Sequence, residues 1–221
     1  SLRVWVASEK IAERYELIWV TPDPEDRNSF PGIDRLRSAD ALLVSVRRRT
    51  LPKSQLDQVR AHVRAGKPVI GIRTANHAFS LRKKQPPQGR DAWPQWDARV
   101  FGGSYSNHYA NDLHPVISPA QISTTGNQKK TSPRIAVADL FTQTKVTSGG
   151  SLYVVSPLAK GAVPLLHGKI PGQPSQPVAW TFRRSDGGSS FYTSLGHTSD
   201  FQGPVLPGLL SRALENLVPT K

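Results

Sequence analysis

The 221-residue chain contains no cysteine and no methionine, and each absence excludes something. Without cysteine there is no disulfide framework, no thiolate metal site and no thiol nucleophile; the absence assigns no compartment. Without methionine, the numbered chain reads as a processed form or a fragment of a larger open reading frame. Long apolar runs are missing too. The longest, such as Ala41-Leu42-Leu43-Val44, fall far short of the roughly 18 residues a membrane-spanning helix needs. Ser1 opens no signal-peptide pattern. Acidic residues are scarce, 16 against 29 Lys plus Arg, for a formal net charge of +13.

What remains is a globular composition, 37% hydrophobic and 20% charged with five Trp, and a length that fits one domain spanning residues 1–221. The positive charge is concentrated. Between Ser45 and Arg90 twelve Lys or Arg stand against one acid, Asp57. Such a block predicts an anionic partner, a buried anion site or a solvated face. It lacks an RNP-like pattern, a helix-turn-helix signal and interleaved aromatics, which argues against nucleic acid.

Hydrophobic periodicity predicts an amphipathic helix over Leu2 to Tyr15 and a strand over Tyr15 to Val20 ended by Thr21-Pro22. Asp40 to Val46 reads as a strand buried on both faces. A helix opens at Thr50 and Pro52 and stops at Gly66; Lys67 to Ile72 is a second buried strand, and Thr74 to Phe79 starts another helix. This alternation is the pattern of a doubly wound α/β sheet. Residues 82–95 and 119–133 read as loops. Short strands are expected at Ala98–Gly102, His114–Ile117, Leu152–Val155, Val163–His167, Val178–Phe182 and Phe191–Leu195, with a closing helix over Pro204–Leu217.

Open α/β sheets bind ligands outside the carboxyl ends of their strands. The residues that follow the expected strands are therefore the candidates: Arg47, Arg48 and Arg49 after Val46, of which alternation along an extended segment puts Arg47 and Arg49 on one side; Arg73, Thr74, Asn76 and His77 after Ile72; Tyr105, Asn107 and His108 after Phe101; His197 and Asp200 after Leu195. Arg73 suits anion or sugar-hydroxyl recognition because a guanidinium offers paired donors; the competing role is a structural salt bridge. His77 and His108 are the candidate ligands for a divalent metal, although no HExxH spacing or carboxylate cluster accompanies them. Trp93 and Trp96 fit either a sugar-stacking surface or the core. His62 and His167 read as surface or packing residues, and His114, before Pro115, as a turn former.

Pro68-Val69-Ile70-Gly71-Ile72-Arg73-Thr74-Ala75-Asn76-His77 sits where class I glutamine amidotransferases carry their nucleophile elbow, with Arg73 at the nucleophile position. An arginine cannot perform that attack, so glutamine hydrolysis is excluded. Four further blocks follow in order: Phe101-Gly102-Gly103-Ser104-Tyr105-Ser106-Asn107-His108, His114-Pro115-Val116-Ile117, Pro177-Val178-Ala179-Trp180-Thr181 and Phe191-Tyr192-Thr193-Ser194-Leu195-Gly196-His197. Together they resemble the ThuA-like (trehalose utilisation) family from about Asp40 to the C-terminus. Many members have His where Arg73 stands and an acidic pair where Gly150 and Ser151 precede Leu152-Tyr153. Members also begin with a strand upstream of the first helix.

The resemblance implies a flavodoxin-like, class I glutamine amidotransferase-like doubly wound sheet, lacking its N-terminal strand. It also implies a role in carbohydrate catabolism, with a hydrolase- or isomerase-type cleavage or rearrangement of a disaccharide or keto-sugar glycoside. In that reading His197 and His77 are catalytic, and Arg73, Arg47, Tyr105, Asn107, His108 and Asp200 surround the substrate. The alternatives are a non-catalytic sugar- or anion-binding module of a larger protein and nucleic-acid binding through the basic block. No cofactor other than a divalent metal is suggested.

Overall fold

The computed structural model describes residues 1–82, 84–121, 135–141 and 145–218. In chain order its elements are α1 (Leu2–Ser8), α2 (Ile11–Arg14), β1 (Leu42–Val44), β2 (Leu51–Pro52), α3 (Lys53–Arg64), β3 (Val69–Ile72), β4 (Arg90–Asp91) and β5 (Asn107–His108). Then follow β6 (Val116–Pro119), β7 (Val146–Thr147), β8 (Tyr153–Val154), β9 (Ala162–Lys169), β10 (Gln176–Arg183), β11 (Ser189–Thr193) and α4 (Val205–Leu217).

The run Val69-Ile70-Gly71-Ile72 has no polar side chain and is buried at every residue, so β3 sits inside the sheet. It pairs in parallel with β1 on one side and β11 on the other. From β11 onward neighbours pair antiparallel, completing the seven-stranded order β1-β3-β11-β10-β9-β6-β7. Side chains alternate across it with the two-residue period of a strand. Ile70, Ile72 and Phe191 pack with α1 and α4 on one face, while Val69, Tyr192, Trp180 and Phe182 pack with α3 and Phe101 on the other. Helices thus cover both faces, as the alternation of segments predicts for an α/β protein.

Several elements depart from the expectations, each for a local reason. The first helix breaks into α1 and α2 at Lys10, whose φ of 51° is left-handed. Tyr15–Val20 forms no strand. A cavity of about 620 Å³, lined by Trp5, Leu17, Trp19 and Leu42 among others, separates it from the outer edge of β1. A strand exists only where a neighbour takes up its backbone groups, and among the described residues β1 pairs with β3 alone. Ala98–Gly102 is not a strand either. Asp97–Phe101 forms a π-helical turn that ends at Gly102, with φ 65°, and buries Val100 and Phe101 together instead of on opposite faces. The Phe101 carbonyl accepts a 2.6 Å hydrogen bond from Trp180 Nε1. Most of the loop expected at 119–133 lies outside the described residues. Trp96 is fully buried, edge-on to Phe79 and Phe101, so it belongs to the core.

Candidate functional site

At the carboxyl end of β3 the chain turns at once into a 3-10 turn, Arg73–His77. Arg73 holds φ 49°, the left-handed region in which a residue with a Cβ is strained. Three side-chain hydrogen bonds hold the turn in place. The Tyr192 hydroxyl donates to the Arg73 carbonyl at 2.6 Å, the Thr74 hydroxyl to the Val46 carbonyl at 3.0 Å, and Trp96 Nε1 to the Ala75 carbonyl at 2.7 Å. Asn76, fully buried, donates to the Gly103 carbonyl at 2.6 Å and accepts from the Tyr105 amide at 2.7 Å. It therefore fixes the backbone of Tyr105 beside the turn.

The segment after β1 is laced to the same turn. The Arg48 amide donates to the His77 carbonyl at 3.2 Å and the Arg49 amide to the Ala78 carbonyl at 2.6 Å. Arg48, like Arg73, has a left-handed backbone, with φ 47°. Its guanidinium is half-buried and donates to the Ser80 carbonyl at 3.3 Å.

Around His77 the rings converge. Its imidazole centroid lies 4.6 Å from Tyr105 and 6.2 Å from Tyr153, the two tyrosine rings are 4.7 Å apart, and His108 stands 6.4 Å from each tyrosine. The Arg73 guanidinium carbon lies 5.2 Å over the Tyr153 ring. His77 is buried, and its Nδ1 makes no hydrogen bond among the described residues. Burial, and after it the positive charges of Arg48, Arg47 and Arg82, push its pKa down to about 3. Burial also raises the Tyr153 hydroxyl, against the opposing pull of Arg73.

This histidine should leave a mark on acid stability. An unfolded histidine takes its proton near pH 6.5, whereas His77 stays neutral in the fold down to about pH 3. Between those values the unfolded chain binds the extra proton, so stability falls as pH falls, by up to about 1.4 kcal/mol per pH unit for one group. The slope of unfolding free energy between pH 6 and 4 should be smaller in His77→Phe than in the parent. Identical slopes would contradict a neutral His77.

His197 and Asp200 lie after β11, past Gly196. His197 caps the 3-10 turn Thr198–Phe201, with its Nδ1 2.8 Å from the Ser199 hydroxyl. The ring is exposed, which leaves Nε2 as the nitrogen for proton exchange. The Asp200 carboxylate accepts from the Gly196 and His197 amides at 2.8 and 2.9 Å, from the Ser148 hydroxyl at 2.9 Å and from the Gly149 amide at 3.0 Å. Four donors make it a clasp between two loops. The clasped loop runs between the His197 ring and the Arg73 guanidinium: a Cβ on Gly149 would lie 2.5 Å from His197 Nδ1, and one on Gly150 2.8 Å from Arg73 Cζ. Only glycine fits at both positions without displacing a head group.

Of the residues singled out from the sequence, Arg73, His77, Tyr105 and His108 form one cluster. Arg47 reaches it by charge from an exposed position. His197 and Asp200 lie across the Gly149–Gly150 loop from Arg73. Asn107 is exposed on β5, where its position pairs with Val154. Among the described residues no three His, Asp or Glu are grouped to hold a metal ion, and a cation beside His77 would face Arg47, Arg48 and Arg82. His62 is buried in packing, with Nε2 3.1 Å from the Pro68 carbonyl. Sequence reasoning did not single out Tyr153 and Arg82, and it placed Arg48 after Val46 but on the side opposite Arg47 and Arg49. Tyr153 had a signal, an aromatic in a short apolar segment after two glycines. The alternation argument for Arg48 assumed an extended segment, whereas its backbone is left-handed, a conformation imposed by its surroundings.

An open α/β sheet with polar groups gathered at the carboxyl ends of its parallel strands, and with arginine at the elbow, has the amidotransferase-like architecture. The family described as ThuA, trehalose utilisation, matches residues 6–215, and the chain belongs to that family. Among solved structures, a ThuA-like protein of Bacteroides uniformis ATCC 8492 superposes with a TM-score of 0.56 at 14% identity, over 84% of this chain and 71% of that one. A cytoplasmic protein of Salmonella typhimurium gives 0.51 at 11% identity, over 85% and 75%. These likenesses concern the fold. No curated protein matches the chain. Membership of a family named for trehalose utilisation gives the chain a carbohydrate-related role.

Proposed function

We propose that this protein binds a carbohydrate at the carboxyl ends of β1, β3 and β11 and cleaves or rearranges it, with His197 as the proton-transfer group. The observation that carries the reading is the cluster of Tyr105, Tyr153, His77 and His108 rings beside the Arg73 guanidinium. Sugar rings present apolar CH faces and hydroxyl edges, and such a site offers aromatic faces for the first and fixed donors for the second. His197 Nε2 would exchange the proton at a glycosidic or carbonyl oxygen, since imidazole is the side chain most often used for general acid–base transfer.

A panel of disaccharides and their keto-sugar glycosides tests this directly. The parent is expected to turn over at least one member. His197→Ala should lose roughly 100-fold or more in kcat, the usual scale of acid–base catalysis, with affinity nearly unchanged, whereas Tyr105→Ala should lose affinity. A parent that turns over no member would overturn the enzymatic reading. One observation favours a second reading, a non-catalytic sugar-binding module: the Asp200 carboxylate is filled by four donors, and the partner at His197 Nδ1 is the hydroxyl of Ser199. Binding without turnover would be its result.

A further inference from the structure

The structure points to an oxyanion subsite within this ligand site, formed by Arg48 and Arg73 with Arg47 and Arg82 at its rim, and we infer that the carbohydrate ligand carries a carboxylate or phosphate group. The inference rests on the reading that a carbohydrate binds here, and it narrows the substrate to acidic sugars.

Three observations support it. First, among the described residues none of these four arginines has a carboxylate within ion-pair distance, although Arg14, Arg60, Arg90, Arg184 and Arg212 all do. Half-buried guanidinium groups are seldom left without an anion, because burial costs the charge its hydration. Asp97 feels the Arg48 charge through space, but no ion pair joins the two among the described residues. Second, Arg48 and Arg73 are two of only three non-glycine residues with positive φ among those described. They follow the neighbouring parallel strands β1 and β3, which pair Val44 with Gly71. Backbone strain repeated at adjacent strand ends marks a place where side-chain direction is being enforced.

Third, the charges converge on the same groups. Arg73, Arg47 and Arg48 all act on the Tyr153 hydroxyl, and Arg48, Arg47 and Arg82 all act on His77. Each planar guanidinium can grip an oxyanion through two parallel N–H donors. Arg73 spends Nη1 on the Ser194 carbonyl at 3.1 Å, and Arg48 spends Nη1 on the Ser80 carbonyl, so each keeps further donors for a ligand. Beside them, the uncharged His77 with its unpaired buried Nδ1 adds a neutral hydrogen-bonding group instead of a competing charge.

Calorimetric titration of the full chain with inorganic phosphate, glucuronate, glucose 6-phosphate and glucose tests the inference. Glucuronate or glucose 6-phosphate should bind at least tenfold tighter than glucose, and whichever is tighter identifies the group. Arg48→Gln should weaken the charged sugars about tenfold and leave glucose unchanged; Arg73→Gln, which also removes a donor to sugar hydroxyls, should weaken the charged sugars about tenfold more than it weakens glucose. Arg64→Gln, on the exposed face of α3, should change nothing. Should a Gln variant fail to fold, Arg73→Lys, which keeps the charge but loses the fork, and Arg82→Gln, at an exposed site, should each show a loss of about threefold. Equal affinity for glucose and the acidic sugars would overturn the subsite. So would acidic-sugar binding that survives these substitutions or falls equally in Arg64→Gln. Phosphate binding that depends on Arg73, with no sugar bound at all, would keep the subsite and remove the carbohydrate reading.

Discussion

Replacing Arg184 with methionine is expected to destabilise the fold by about 3 kcal/mol or more, the scale for removing one partner of a buried, hydrogen-bonded charge. The side chain is 1% exposed and pairs with Asp186 at 3.0 Å. Its Nη1 donates to the Ser189 carbonyl at 2.9 Å and the Ser190 hydroxyl at 2.8 Å, and its Nη2 to the Lys67 carbonyl at 2.8 Å. One guanidinium thus ties the segment between α3 and β3 to the start of β11. Methionine fills similar volume but offers no donor, so those buried acceptors lose their partner. Thermal unfolding should show a fall in Tm of about 6 to 12 °C for a domain of this size. Asp186→Asn should cost less, because Asp186 is partly exposed and its charge can hydrate. A loss below about 1 kcal/mol in Arg184→Met would refute the anchoring role.

The second large effect is expected at Gly71. A Cβ there would lie 2.7 Å from Cε1 of Phe101. Phe101 is fully buried, with ring centroids 5.5 Å from Trp96 and 5.3 Å from Tyr192, so it has nowhere to move. Gly71→Val should therefore cost about 3 kcal/mol, the upper part of the usual overpacking range. Phe101→Ala should itself lose about 3 to 5 kcal/mol by leaving a cavity. The double variant should lose clearly less than the sum, since the valine occupies part of that cavity. Strict additivity in the cycle would show that the two side chains do not collide.

How far these features could be read from the sequence depends on where the causes lie. Strands β1 and β3, helices α3 and α4 and the alternation between them follow from apolar periodicity, a property of neighbouring residues. Arg73 and His77 were found because strand ends can be read once strands can. Tyr15–Val20 has the composition of a strand, but composition does not reveal whether a hydrogen-bonding neighbour stands alongside. The π-helical turn at Asp97–Phe101 depends on Trp180 and Gly71, which are remote in sequence. Arg184 was invisible for the same reason: its acceptors come from α3, β11 and the segment before β3, and nothing local separates it from a surface arginine. Asp200, read as a substrate-binding residue, accepts from the nearby Gly196 and His197 amides and also from Ser148 and Gly149 of a loop some fifty residues away, partners that no local pattern shows.

Arg184 and Arg73 act on the same two parallel strands from opposite ends. The first bonds beside the entry to β3 and at the start of β11; the second bonds the Ser194 carbonyl just past β11's end. Four residues of extended chain span about 13 Å, beyond the distance at which substitutions usually perturb one another. Free energies of change at the two ends should then simply add. The Arg73 end can be altered by selection or by design while the other end holds the strands together, and the two arginines are free to diverge in fate.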